Sequence, residues 1–191
     1  MIILKNAKLD DKKDFSKLVM LSAEKYFPFL FSKKIPLILE KLFVKNNSFF
    51  CHKLTTFAEV DNKIVGCMLT FSFADKKKYE TKTAISMVRC MGFTFFRYMK
   101  RILTCTSIIG EFTSDEFYIS NLATYPEYRN KGVATALLKK AEEMAVLNKA
   151  KKVVLDVEMD KLEAIDLYKK NGFEVEKSIS LPYKQFCFYR I

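Results

Sequence analysis

The run Arg129-Asn130-Lys131-Gly132-Val133-Ala134-Thr135 has the residue types of an anion site. It falls where a β-rich phrase, FYISNLATY, gives way to KGVATALLKKAEEMAVLNK, in which Val133, Leu137, Leu138, Ala141, Met144 and Ala145 mark one face of a helix. The first turn of such a helix presents backbone N–H groups with no intrahelical acceptor, and the macrodipole adds positive potential there. Gly132 permits close approach and backbone angles that a β-carbon forbids, Arg129 and Lys131 add charge, and the small Ala134 keeps the way open. The chemistry to expect is phosphate binding. It is not that of the two common glycine-rich loops, because neither G-x-x-x-x-G-K-[ST] nor G-x-G-x-x-G occurs.

Other chemistries are poorly supplied. His52 is the single histidine and lies among aromatic residues, so neither a zinc site nor a Ser-His-Asp triad is expected. Cys51, Cys67, Cys90, Cys105 and Cys187 are odd in number, lack C-x-x-C spacing and fall mostly in apolar runs, which reads as free thiols in a reducing cytoplasm. The formal charge of +11 and pI near 9.3 favour anionic partners. The lysines are scattered in doublets and triplets, as on solvated faces, and no helix-turn-helix or RNA-recognition phrase accompanies them, so nucleic acid is not expected as a partner.

The elements that must position the loop follow from apolar spacing. IILKN reads as a strand, and DDKKDFSKLVMLSAEKYF as a helix with Phe15, Leu18, Val19 and Ser22 on one face. Pro28 and Pro36 interrupt the chain, leaving Tyr26, Phe27, Phe29 and Phe31 in an aromatic loop before a second helix, LILEKLFVKNN. LTTFAEVDNKIVGCMLTFSFA reads as a hairpin turning at Asp61-Asn62. A helix is expected over residues 84–105, with Arg89, Arg97, Lys100 and Arg101 opposite Met91, Phe95, Tyr98, Met99, Ile102 and Leu103. Packing on the sheet is its ordinary fate; a membrane-surface helix and a dimerisation face are the alternatives.

Residues 85–109 are apolar, but four cations disfavour a membrane span, and the amino terminus shows no signal-peptide pattern. KKVVLDVEM is a further strand, DKLEAIDLYKKNGF a helix stopped by Asn171-Gly172, and the rest two strands around Pro182. The order β α α β β α β α β α β β implies an α+β fold, a mixed sheet flanked by helices, as one domain over residues 1–191.

Two phrases carry a resemblance. ISNLATYPEYRNKGVATALLKKAEEMA contains R-x-x-G-x-A, and VVLDVEMDKLEAIDLYKKNGFEVE contains A-x-x-L-Y-x-x-x-G-F, at Ala164, Leu167, Tyr168, Gly172 and Phe173. In that order they resemble the GNAT superfamily of acyl-CoA-dependent N-acyltransferases, whose pyrophosphate loop reads [QR]-x-x-G-x-[GA]. The resemblance is specific over residues 116–178, compatible by element order over 1–80, and leaves an extra helix inserted between the third and fourth strands. It implies a central, mostly antiparallel mixed sheet of six or seven strands.

The resemblance also implies a chemistry. Acetyl-CoA would be the co-substrate, with no metal, and the acceptor a primary amine of a small molecule or peptide, attacking directly in a ternary complex. The fourth and fifth strands would splay around the pantetheine arm, with Asn121, Leu122, Ala123 and Thr124 facing it. Arg129, Asn130, Lys131, Gly132, Val133, Ala134 and Thr135 would hold the pyrophosphate, and Tyr168 would protonate the leaving thiolate. Glu116, where some relatives place a glutamate, is the first candidate for the base, with Glu111, Glu59 and Glu158 as alternatives. Lys161 replaces an asparagine that many relatives carry seven residues before the tyrosine. A homodimer is an assembly that relatives adopt. The alternative function is a catalytically weak acyl-CoA-binding module.

Overall fold

A computed structural model describes residues 1–183 and 185–191. The chain runs β1 (Ile3–Asn6), α1 (Lys12–Ser22), α2 (Tyr26–Phe31), α3 (Ile35–Phe43), β2 (Thr55–Val60), β3 (Lys63–Ser72), α4 (Phe73–Met91), α5 (Phe93–Thr106), β4 (Glu116–Thr124), α6 (Val133–Leu147), β5 (Lys152–Glu158), α7 (Leu162–Lys170), β6 (Lys177–Ser180) and β7 (Cys187–Arg190). The strands form one sheet in the order β1-β2-β3-β4-β5-β7-β6. β4 and β5 run parallel, and every other neighbouring pair is antiparallel. Asp61 and Asn62 turn the β2–β3 hairpin with φ of 50° and 60°, the left-handed angles that these residue types tolerate.

Period-two alternation divides the strands between two cores. On one face Phe57, Cys67 and Leu69 meet Leu18 and Val19 of α1 and Leu39 and Phe43 of α3. On the other, Val65, Met68, Ile119, Leu155 and Val157 meet Val133, Leu137, Leu138 and Ala141 of α6 and Ile165 of α7. Each side chain of this size contributes about 1.5–3 kcal/mol when fully buried, which pins both helical layers to the sheet.

Two local expectations are corrected. The aromatic stretch 26–31 is a short helix, α2, because Pro28 falls in its first turn, where its missing N–H has no intrahelical role. The single helix expected over 84–105 is two helices. α4 starts at Phe73, capped by Ser72 and Asp75 in reciprocal hydrogen bonds, and Gly92, at φ 56°, separates it from α5. Among the described residues no helix is long and apolar enough to cross a membrane.

Candidate active site

A cleft forms because β4 and β5 part company. They pair in parallel over Glu116–Ile119 and Lys152–Leu155. Beyond Ile119 the β3–β4 register shifts: Thr70 faces Ile119 and Leu69 faces Asn121, so Ser120 is an extra residue on β4. Such a bulge bends its strand and increases the twist. β5 meanwhile continues through Asp156, Val157 and Glu158 against β7. The backbone from Ser120 to Thr124 therefore has β3 on one side and no ladder on the other. A cavity of about 880 Å³ occupies the gap, with Leu122, Ala123 and Thr124 in its wall.

The start of α6 closes one end of this cleft. Asn130 and Gly132 take φ of 58° and 81°. Among the described residues no side chain caps the helix, and its first internal bond runs from the Ala136 N–H to the Gly132 carbonyl at 2.9 Å, leaving the N–H groups of Val133, Ala134 and Thr135 without a partner there. These donors, and the dipole behind them, suit the phosphates of an acyl-CoA. Crowding is not what demands glycine at 132, since a β-carbon there would meet only Ile2 at 3.9 Å; the positive φ is. Gly66 is the crowded position. A β-carbon on it would lie 2.9 Å from the Ala123 carbonyl oxygen and 3.0 Å from Val133 Cγ1, so its absence lets the end of β4 and the start of α6 converge on β3.

Arg129, Asn130, Gly132, Val133, Ala134 and Thr135 all lie in the cleft wall. Lys131 does not; its ammonium sits over the Tyr128 ring, 5.2 Å from the centroid. Asn121 lines the cleft, and its amide donates to Ser22 Oγ at 2.8 Å, tying β4 to the end of α1.

Among the titratable groups in the cleft wall, Tyr168 and Glu158 come from opposite faces of the sheet. Tyr168 of α7 belongs to the α6 and α7 core, and burial alone pushes its hydroxyl up to about 12, so it keeps its proton at neutral pH. Glu158 ends β5. It is buried, and burial first, then the negative charge of Asp160, raise its carboxyl above the usual glutamate range, against the pull of Lys161 and Lys25. Its neighbour two residues back, Asp156, is already committed. It receives Arg190 Nε and Nη2 at 2.6 and 2.9 Å, the Tyr118 hydroxyl at 3.0 Å and the Gly110 N–H at 2.9 Å. Asp160 is held by Lys25 at 3.0 Å, an exposed pair that adds little stability.

Glu116, the first candidate for the base, stands apart from the other candidate site residues. It starts β4 at the end away from the splay and lies outside the cleft wall. Its carboxylate accepts the Thr113 N–H at 2.7 Å and pairs with Lys152 at 3.2 Å. Burial would raise its carboxyl, but these partners outweigh burial and hold it below the usual range, as suits an anchored anion. Glu111 pairs with Lys76 at 2.7 Å, and Glu59 pairs with Lys5. Of the four glutamates considered, Glu158 alone is in the cleft wall. The signal for it was in VVLDVE: two acids at alternate positions at the carboxyl end of a parallel strand, where open sheets bind ligands. Lys161 also lines the cleft, at the start of α7. Among the described residues no group of three or more His, Cys, Asp or Glu side chains is placed to hold a metal ion.

Residues 17–173 match the acetyltransferase (GNAT) family. The fold is shared with an N-acetyltransferase from Staphylococcus aureus Mu50, at 24% identity and a TM-score of 0.72 over 98% of each chain. Ard1 from Thermoplasma volcanium is 15% identical, with a TM-score of 0.60 over 99% of this chain and 95% of that one. An aminoglycoside N-acetyltransferase in complex with CoA is 9% identical, with a TM-score of 0.56 over 91% of this chain and 88% of its own. At such identities the likeness is one of fold. No curated protein matches the chain in sequence.

Proposed function

The chain belongs to the GNAT acetyltransferase family, and on that premise we propose that it transfers an acetyl group from acetyl-CoA to a primary amine by direct attack in a ternary complex. The observation that carries this reading is the unpaired edge of β4, from Ser120 to Thr124, running beside the uncapped start of α6. One structure offers both a backbone edge for an extended amide-bearing arm and three free N–H donors for its phosphates. We read residues 1–191 as a single domain, and the five free cysteines fit a reducing cytoplasm.

When bound, acetyl-CoA supplies the activated thioester. The N–H groups of Val133, Ala134 and Thr135, helped by Arg129, hold its phosphates. A main-chain N–H of Leu122 or Ala123 donates to the thioester carbonyl oxygen, where negative charge grows as the amine attacks. Glu158, which burial makes a stronger base than an exposed glutamate, takes the proton of the amine directly or through a water. Tyr168 donates a proton to the departing sulfur. The acceptor, a small molecule or a peptide amine, enters beside Tyr26, Phe27 and Phe188, the apolar wall on the Glu158 side.

Calorimetric titration with acetyl-CoA and with S-acetyl-pantetheine, which lacks the pyrophosphate, tests the reading. Affinity in the micromolar range for the first, weaker by about tenfold or more for the second, supports the phosphate role of α6. A folded protein that binds neither refutes it. Binding without release of free CoA thiol for any of a broad panel of amines favours the catalytically weak module.

A further inference from the structure

The helical pair α4–α5 is the part of the chain that the acyl-transfer reading leaves without a task. Its inner face is committed. Met87, Met91, Phe95, Ile102 and Cys105 join the core, and Arg101 donates to the Phe29 carbonyl at 2.6 Å with its guanidinium 4.2 Å from that ring. Its outer face is not. Phe93, beside the Gly92 corner, is 93% exposed, Phe96 61% and Leu103 59%, and Met99, Ile85 and Val88 are exposed with them. Phe93, Phe96, Lys100 and Leu103 share one side of α5 by helical spacing, with Arg97 alongside.

The charge of this face is one-sided. From Thr81 to Gly110 the chain has five cations and no Asp or Glu. Arg101 turns inward, whereas Lys82, Arg89, Arg97 and Lys100 are exposed. None of these four pairs with a carboxylate among the described residues. Exposed aromatic and aliphatic side chains set among unopposed cations call for a partner that is anionic at its surface and apolar just beneath. A second copy would bring the same acid-free face against itself, cation to cation. Nucleic acid offers the phosphates but no apolar layer for Leu103 and Met99.

We propose that the outer face of α4–α5 docks the protein on an anionic phospholipid bilayer. Phe93 and Phe96 enter the boundary between headgroups and acyl chains, and Arg89, Arg97 and Lys100 meet the headgroups. Cosedimentation of the full chain with vesicles of phosphatidylcholine, and of phosphatidylcholine mixed with phosphatidylglycerol, tests this. Partition onto the mixed vesicles should be about tenfold stronger or more, and should weaken as salt is added. Phe93→Ser with Phe96→Ser, and separately Arg97→Gln with Lys100→Gln, should each reduce it by about tenfold or more. Both variants should unfold close to the wild-type temperature, since these side chains are largely exposed. The proposal is overturned by no partition onto anionic vesicles, by partition indifferent to both variants, or by a solution dimer that the Phe93 and Phe96 pair of substitutions dissociates. Binding to a DNA duplex but not to vesicles would overturn it equally.

Discussion

Replacing Arg190 with methionine should be among the most damaging single changes outside the two apolar cores. Arg190 Nε and Nη2 donate to both oxygens of Asp156 at 2.6 and 2.9 Å, and Nη1 donates to the Glu111 carbonyl at 2.6 Å. Both side chains of the ion pair are almost wholly buried, at 3% and 1% exposure. Methionine fills the space but leaves a buried carboxylate with only the Tyr118 hydroxyl and the Gly110 N–H as donors. Breaking such a pair from one side costs about 3–5 kcal/mol, a large share of the roughly 5–15 kcal/mol that holds a domain folded. At about 2–4 °C per kcal/mol for a chain of this size, Tm should fall by roughly 6–20 °C. Urea and thermal unfolding followed by circular dichroism would measure it. Asp156→Asn added to Arg190→Met should recover most of the loss, because the amide oxygen still accepts from Tyr118 and Gly110 while no charge is left unpaired. A single variant costing less than about 1 kcal/mol, or a double variant worse than the single, would refute the reasoning.

Glu158→Gln should separate stability from activity. Burial raises the Glu158 carboxyl in the folded chain above its unfolded value, so the contribution of this group is fully favourable below the unfolded pKa and is lost as pH rises through the folded one. The glutamine variant should therefore be more stable than wild type at neutral pH, with the difference closing in acid, while kcat/KM falls by about a hundredfold or more. Denaturant titrations across pH and a thiol-release assay test the two halves. Tyr168→Phe should lower kcat by about tenfold or more with little change in acetyl-CoA affinity; an equal rate at every pH would remove Tyr168 from the mechanism. Gly66→Ala places a β-carbon against the Ala123 carbonyl and Val133, at a cost of about 1–3 kcal/mol. Calorimetry should find acetyl-CoA binding weakened as the end of β4 and the start of α6 are forced apart, and unchanged affinity would show that their convergence is not needed.

Where the determinants were local, residue types alone carried the structure. Apolar spacing marked α1, α3, α6 and α7 and the alternation of the strands, Asp61-Asn62 marked the hairpin, and R-x-x-G-x-A marked the start of α6, because each depends on residues a few positions apart. The reading across Gly92 failed on a local ambiguity: an isolated glycine costs a helix only about 1 kcal/mol, and whether the helix continues is decided by packing on either side. Glu116 opens a β-rich run and Glu158 closes one, but no linear pattern records which of the two carboxylates finds a cation. Their different surroundings came from pairing in space. The parallel β4–β5 ladder sets Glu116 beside Lys152, and the bulge at Ser120 with the turn of β5 toward β7 opens a gap beside Glu158. The glycine turn into α6 is a property of consecutive backbone and was determined by the sequence itself, whereas which carboxylate is spent on an ion pair and which is left in the cleft depends on long-range partners that only the folded sheet brings together.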